Sequence, residues 1–310
     1  MQTIVLTILT FILSYLLIKL NLSFFKKYFL DIPNERSAHT KEIPNSGGLV
    51  IISVLILVAT VSHMPYIFPI LPLSVVGFLD DRFNLPRSLR YIAQSLTSIL
   101  IINQSEFHVY LTSLENSFFY IGSYLILVFI STAIINFINF MDGIDGLVAG
   151  STLIILISSS IIFGNQIFYP LAGALIGFLI FNWNPAKIFM GDTGSAFIGA
   201  LLVWILFNTS NIESSISIFL IFMPLTGDAF ICVIRRWIAG QNIFNSHSLH
   251  LYQRLYKGGL SQGKVSFLYI TLITVSSISY FILGLPGLIT FNIMSLFLYF
   301  YLDQKVAKPF

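Results

Sequence analysis

The segment "NFINFMDGIDGL", residues 136–147, sets Asn136, Asn139, Asp142 and Asp145 at steps of three at the end of a long apolar run. On a helix three residues fall about 60° short of a full turn, so Asn136, Asn139 and Asp142 trace a slowly winding polar stripe. Such a stripe could cap neighbouring helix ends, yet capping needs one carboxylate and not four aligned polar groups. Gly143 and Gly146 follow the two carboxylates, and they predict the end of the helix there.

Three other stretches carry comparable chemistry. "GFLDDRFNLP" joins Asp80 and Asp81, with Arg82, Arg87 and Arg90 close behind. Adjacent carboxylates repel unless a cation or a hydrogen-bond donor compensates, which points to metal or acid–base work. "FNWNPAKIFMGDTGSAF" puts Asp192 in a Gly-flanked turn before an apolar run, where backbone N–H groups can face an anion while the carboxylate holds a cation. "RRWIAGQNIFNSHSLHLYQRL" offers Arg235, Arg236, His247, His250 and Arg254. Taken singly, these are also what caps, chance pairs and a topogenic basic loop look like. Together they supply what phosphoryl transfer from a nucleoside diphosphate demands: a metal to neutralise it and cations to bind its oxygens. A two-His zinc site is the rival, and a spacing of three suits it. It lacks a Cys or HExxH partner, since the single cysteine, Cys232, reads as an inert thiol within a helix.

The elements that carry these groups belong in a membrane. The chain is 56% hydrophobic and 9% charged, with 30 Phe, against about 25% charged residues in ordinary soluble domains; its mean hydropathy is +0.88. Apolar windows predict eleven spans, at 3–20, 47–63, 65–79, 89–103, 118–140, 145–163, 167–182, 195–209, 214–234, 265–283 and 286–303. The first has no small-residue cleavage signature and is expected to be retained. With the N-terminus outside and the C-terminus cytoplasmic, all 16 Lys and Arg fall in inside segments or at their edges, a full expression of the positive-inside bias. The net charge of +3 is thereby accounted for by orientation beside anionic lipid, without nucleic acid.

The acidic residues then sort themselves. Glu106, Glu115 and Glu213 lie outside, and Asp303 near the C-terminus reads as solvated loop charge. Asp31, Glu35, Glu42, Asp80, Asp81, Asp142, Asp145, Asp192 and Asp228 lie on or near the cytoplasmic face. Charges in spanning helices are costly and usually face a polar cavity, so convergence on one face implies one site. A transporter would instead place them near mid-membrane in broken helices, often within an internal repeat.

The four quoted stretches, in this order, resemble the signatures of the polyprenyl-phosphate N-acetylhexosamine-1-phosphate transferases. "DIPNERSAHTKEIPNSGG" is similar to that family's first cytoplasmic loop. The resemblance implies one all-α membrane-embedded domain over 1–310, in the bacterial inner membrane. It implies transfer of a sugar 1-phosphate from a UDP-N-acetyl amino sugar to undecaprenyl phosphate, with release of UMP and with Mg²⁺, or Mn²⁺ in its place; a homodimer stays open as the assembly. By resemblance Asp80 stands nearest the acceptor phosphate, supported by Asp81 and by the phosphate-contacting Arg90. Asn139 and Asp192 hold the metal, and Asp142 and Asp145 lie toward the nucleotide. His247, His250 and Arg254 face the diphosphate or sugar, with Asn136, Arg235 and Arg236 in the substrate-binding set. "HSLHLYQRL" has fewer histidines than the peptidoglycan enzyme's motif, and looks more like the O-antigen initiating branch.

Overall fold

The computed structural model describes residues 2–33, 38–61, 65–114, 116–164, 166, 168–209, 211–245 and 247–310. Glu35 and Glu115 lie outside them. The helices are α1 (Gln2–Tyr28), α2 (Gly47–Val61), α3 (Leu71–Phe83), α4 (Arg87–Asn103), α5 (Glu106–Thr112), α6 (Ser117–Met141) and α7 (Leu147–Phe163). They continue as α8 (Phe168–Asn182), α9 (Gly191–Phe207), α10 (Ile212–Ile221), α11 (Met223–Ile238), α12 (Leu251–Lys257) and α13 (Gln262–Lys305). Among the described residues the departures from α-helix are a 3-10 turn, Pro65–Ile70, and a two-stranded antiparallel ribbon, β1 (Leu30–Asp31) with β2 (Ile43–Pro44), which ties down the first loop.

Helix α9 is the hub. Its sequence "GDTGSAFIGALLVWILF" is apolar all round, the pattern of a helix buried on every side, and every residue from Thr193 to Phe207 is buried. Helices α2, α3, α4 and α6 pack around it, α1 packs on α8, and α7 and α10–α12 pack on α13. The ends of α3, α4, α6 and α9 that carry Asp80, Arg90, Asn139 and Asp192 therefore meet.

Helices α1, α6 and α13 are long and apolar enough to cross a membrane, and α2, α7, α8 and α9 are shorter apolar helices. Several boundaries differ from the expected spans, and the third span opens as the 3-10 turn, Pro65–Ile70, before α3. The ninth is broken into α10 and α11, bent by 72°, because Pro224 enters at the start of α11 and cannot continue the α10 hydrogen-bond ladder. Helix α9 starts at Gly191 rather than 195, so Asp192 sits in its first turn and not in a preceding loop. Within 262–305 two helical runs meet at a kink at the non-helical Gly284 (φ 65°, ψ −160°), between the expected spans 265–283 and 286–303. As the glycines predicted, α6 ends at Met141 and α7 starts at Leu147, after Gly146 at φ 73°.

Candidate active site

Asp80 and Asp81 follow the apolar part of α3. Asn84, in the left-handed conformation, closes that helix by donating its N–H to the Asp80 carbonyl. The turn brings Leu85 N to 2.8 Å from Asp80 Oδ1. Asp81 points the other way, into the start of α9. Its Oδ1 accepts from Asp192 N at 2.8 Å and Asn45 Nδ2 at 3.2 Å; its Oδ2 accepts from Thr193 N at 3.0 Å and from the Thr193 hydroxyl. The first N–H groups of a helix lack internal partners, and here a carboxylate from another helix caps them. Gly191 (φ 74°) makes this possible, because a Cβ there would stand 2.7 Å from both Asp81 Oδ2 and Asn45 Oδ1.

The cap aims Asp192 at α6. Asn139 Nδ2 donates to Asp192 Oδ1 at 2.7 Å and to Ser195 Oγ at 2.9 Å. Arg90 Nη1, from α4, lies 2.9 Å from Asp80 Oδ2 and 3.5 Å from Asp192 Oδ2, so one guanidinium bridges the two motifs. The steps of three thus lead to different environments. Asn136 forms a reciprocal amide pair with Gln94 of α4, at 2.7 and 3.2 Å. Asp142 opens toward a cavity, and Asp145 Oδ2 accepts from Asn184 Nδ2 at 2.8 Å and Ala186 N at 2.9 Å, anchoring the loop before α9.

That cavity, of about 780 Å³, is lined by Asp31, Asp80, Asp81, Asp142, Asp145 and Asp192, with Asn139 and His247. A second cavity of about 240 Å³ is lined by Arg87, Arg90, Asn136 and His250; the two share Asp80, Asn139, Asp192, His247 and Gln253. Burial and the neighbouring Asp192 carboxylate push Asp80 up to about 6, Asp81 to about 7 and Asp142 to about 8. Burial also raises Asp31, against the opposing effect of His39. Carboxylates held uncomfortably close, beside an amide, form a donor set that fits a hard divalent cation. Among the described residues no three of these carboxylates bring oxygens within 4.8 Å of one another. Such a spread suits Mg²⁺, which keeps waters and is bound through one or two carboxylates and substrate phosphates.

The basic stretch divides. Arg235 and Arg254 both reach Asp303, whose side chain is 8% exposed. Asp303 is therefore the buried partner of two arginines, where solvated loop charge was expected. Arg236, 4% exposed, donates to Gln241 Oε1 and to the carbonyls of Asn242, Ile243 and Asn245, stapling the loop after α11. None of these three arginines lines either cavity. His247 and His250 do, with ring centroids 4.8 Å apart. Burial, then His250 and Arg236, lower His247 to about 3; burial and Arg236 lower His250 to about 4. Both are neutral imidazoles at physiological pH.

His250 is the N-cap residue of α12, and Asp228 fixes the backbone there. This carboxylate, 1% exposed, accepts from Leu251 N at 2.8 Å, Tyr252 N at 3.1 Å and Tyr269 Oη at 2.7 Å. Tyr252 Oη in turn donates to the Phe140 carbonyl at 2.8 Å, passing Gly143, where a Cβ would stand 2.1 Å from that oxygen. The Gly after Asp142 thus lets the basic stretch dock on the end of α6. His39, Asn45, Gln253 and Gln262 also line the larger cavity and were not singled out from sequence. Amides in loops carry no local pattern, whereas Asp228 had one, as a carboxylate inside an apolar run.

Residues 63–210 match the family model described as glycosyl transferase family 4. The chain is 30% identical to a probable undecaprenyl-phosphate N-acetylglucosaminyl 1-phosphate transferase of Bacillus subtilis, over 79% of this chain and 74% of that protein. It is 30% identical to the phospho-N-acetylmuramoyl-pentapeptide-transferase of the same organism, over 82% and 90%. Against the decaprenyl-phosphate N-acetylglucosaminephosphotransferase of Mycobacterium leprae the identity is 29%, over 76% and 72%.

Proposed function

Since the chain belongs to glycosyl transferase family 4, the polyprenyl-phosphate sugar-1-phosphate transferases, we propose that it transfers an N-acetylated amino-sugar 1-phosphate from a UDP-sugar to undecaprenyl phosphate. The reaction takes place at the cytoplasmic face of the bacterial inner membrane, releases UMP and initiates a lipid-linked envelope polysaccharide of the O-antigen kind. The observation that carries this reading is the junction of the two cavities. Arg90 there spans Asp80 and Asp192, with the carboxylate-rich space on one side and the arginine-lined space on the other.

In this reading the larger cavity takes the UDP-sugar. Asp192 and the amide oxygen of Asn139 hold Mg²⁺ or Mn²⁺, which supplies neutralisation of the diphosphate charge. Asp142 and Asp145 line the nucleotide side, Asp145 through the 184–186 turn that it fixes. The acceptor phosphate enters from the smaller cavity and meets Arg87 and Arg90. A phosphate monoester has its second pKa near 6 and is a competent nucleophile at neutral pH, so Asp80 and Arg90 serve to orient it in line. Asp81, fully hydrogen-bonded at the α9 N-terminus, positions Asp192. His247 and His250 donate neutral hydrogen bonds to the diphosphate or sugar. Arg235, Arg236 and Arg254 act at one remove, by holding the loop and α12 that present those histidines.

The test is purified protein with polyprenyl phosphate, Mg²⁺ and a panel of UDP-sugars, scoring UMP. Acceptor-dependent UMP release with at least one UDP-N-acetyl amino sugar is expected. Its absence across the panel overturns the reading.

A further inference from the structure

One cluster at the wall of the smaller cavity joins the two histidines of that chemistry to a thiol it does not use. Cys232 of α11, His247 and His250 place one ligand atom each within 4.8 Å of one another, the only such trio of His, Cys, Asp or Glu among the described residues. The sequence hides this grouping, because the thiol lies in an apolar helix and the imidazoles in the following loop. Cys232 is 1% exposed, and His250 is 3% exposed; beyond the capping contact of its side chain with the first turn of α12, its buried Nδ1 has no hydrogen-bond partner. An orphaned ring nitrogen in a buried site is a cost that a ligand would remove.

We propose that Cys232, His247 and His250 form a binding site for zinc or a similar borderline-soft divalent cation, whose occupation withdraws both imidazoles from substrate, His247 from the wall the two cavities share and His250 from the smaller cavity beside it. The second half rests on the assignment of the histidines to the UDP-sugar; the first half does not. One sulfur and two imidazoles are a ligand set zinc accepts, with the fourth position left for water. Zinc–ligand lengths of about 2.0–2.3 Å put tetrahedral ligand atoms about 3.4–3.6 Å apart, so atoms within 4.8 Å of one another need to close by no more than about 1.4 Å. The loop bearing His247 supplies that movement, releasing the weak 3.3 Å bond from Leu249 N to His247 Nδ1. Burial and Arg236 keep both imidazoles neutral, the form that ligates. On binding, the Cys232 thiol loses its proton to water, and no electron changes hands. Arg236 is the opposing charge nearby, but its guanidinium is engaged by four protein oxygens. Asp228, one helical turn before Cys232 on the same face, contributes a compensating carboxylate.

The experiment titrates Co²⁺ into purified, Mg²⁺-saturated protein and reads the thiolate-to-cobalt charge-transfer band, which needs no turnover. One equivalent, displaced by Zn²⁺, is expected in the wild type and none in Cys232→Ser; His250→Ala should weaken it. Cys232→Ala, checked for an unchanged thermal transition, guards against misfolding. In the UMP assay Zn²⁺ should compete with the UDP-sugar, and Cys232→Ser should keep basal turnover while needing at least about tenfold more Zn²⁺ for equal inhibition. A wild type without the band overturns the site. A band accompanied by equal Zn²⁺ sensitivity in Cys232→Ser keeps the site, overturns its coupling to the donor, and moves the inhibition to Asn139 and Asp192.

Discussion

Replacing Asp228 by Asn tests whether His250 acts from a position that a residue on another helix sets. The amide keeps the shape of the carboxylate but has one accepting oxygen where two were used. Tyr269 Oη can turn to accept from the new NH₂ group, while one of the two α12 N–H groups, Leu251 N or Tyr252 N, must lose its partner. A buried donor left unsatisfied costs about 1–3 kcal/mol. If the cost falls entirely on the geometry His250 needs in the transition state, kcat/KM drops by about 5- to 150-fold, at about 1.4 kcal/mol per decade. Rates of UMP release for wild type, Asp228→Asn, His250→Ala and the double variant close a cycle. A carboxylate that works only through His250 predicts a double variant within about twofold of His250→Ala alone. Losses that multiply would refute the positioning role, and an unchanged Asp228→Asn would show that α12 does not depend on this cap.

Asp192→Asn, which keeps shape and removes the charge at the bridging point, should cut transfer by orders of magnitude with membrane insertion intact; near-normal turnover at low Mg²⁺ would contradict the metal assignment. Arg90→Ala should raise the apparent KM for polyprenyl phosphate as well as lower kcat, since Arg90 both bridges the carboxylates and faces the smaller cavity; a change confined to UDP-sugar KM would place the acceptor elsewhere. His247 and His250, lowered to about 3 and about 4, take no proton as pH falls from about 8 to about 5, so the kcat/KM profile, which Asp80 at about 6, Asp81 at about 7 and the acceptor phosphate shape, should keep its form in His247→Gln and His250→Gln, whereas a cationic role would remove a limb near pH 6.5 from those variants. The same shift means the unfolded chain protonates first, so the two buried rings withdraw stability as pH drops below about 6.5, against the opposite contribution of Asp80, Asp81 and Asp142; a His247→Gln, His250→Gln double variant whose thermal transition changes with pH as the wild type's does would contradict it. A reporter fused after Asn103 should read outside and one after Lys257 cytoplasmic, and the same compartment for both would break the orientation.

The polar stretches could be read in sequence because an apolar background makes each carboxylate conspicuous, and Asp80, Asn139, Asp142 and Asp192 do meet at one cavity. What each group bonds to depends on distant partners, which no local pattern records. Asp81 caps a helix that begins 110 residues later, and Asp303 closes on Arg235 and Arg254 from the far end of α13. Arg236 looked like a phosphate ligand by type and turned out to bond loop carbonyls, since a short loop folded back over its own helix end offers unpaired oxygens. The α10–α11 break did have a local signal in Pro224, which the hydropathy window averaged away.

Sugar-1-phosphate transfer differs from glycosyl transfer in which bond of the UDP-sugar breaks, and the products record it. Incubation of purified protein with Mg²⁺, polyprenyl phosphate and a turned-over UDP-N-acetyl amino sugar, followed by mass analysis of both nucleotide and lipid, tests the central claim. The account predicts UMP in equal amount to a lipid diphosphate sugar, lost together in Asp192→Asn. UDP accompanied by a lipid monophosphate sugar would contradict it.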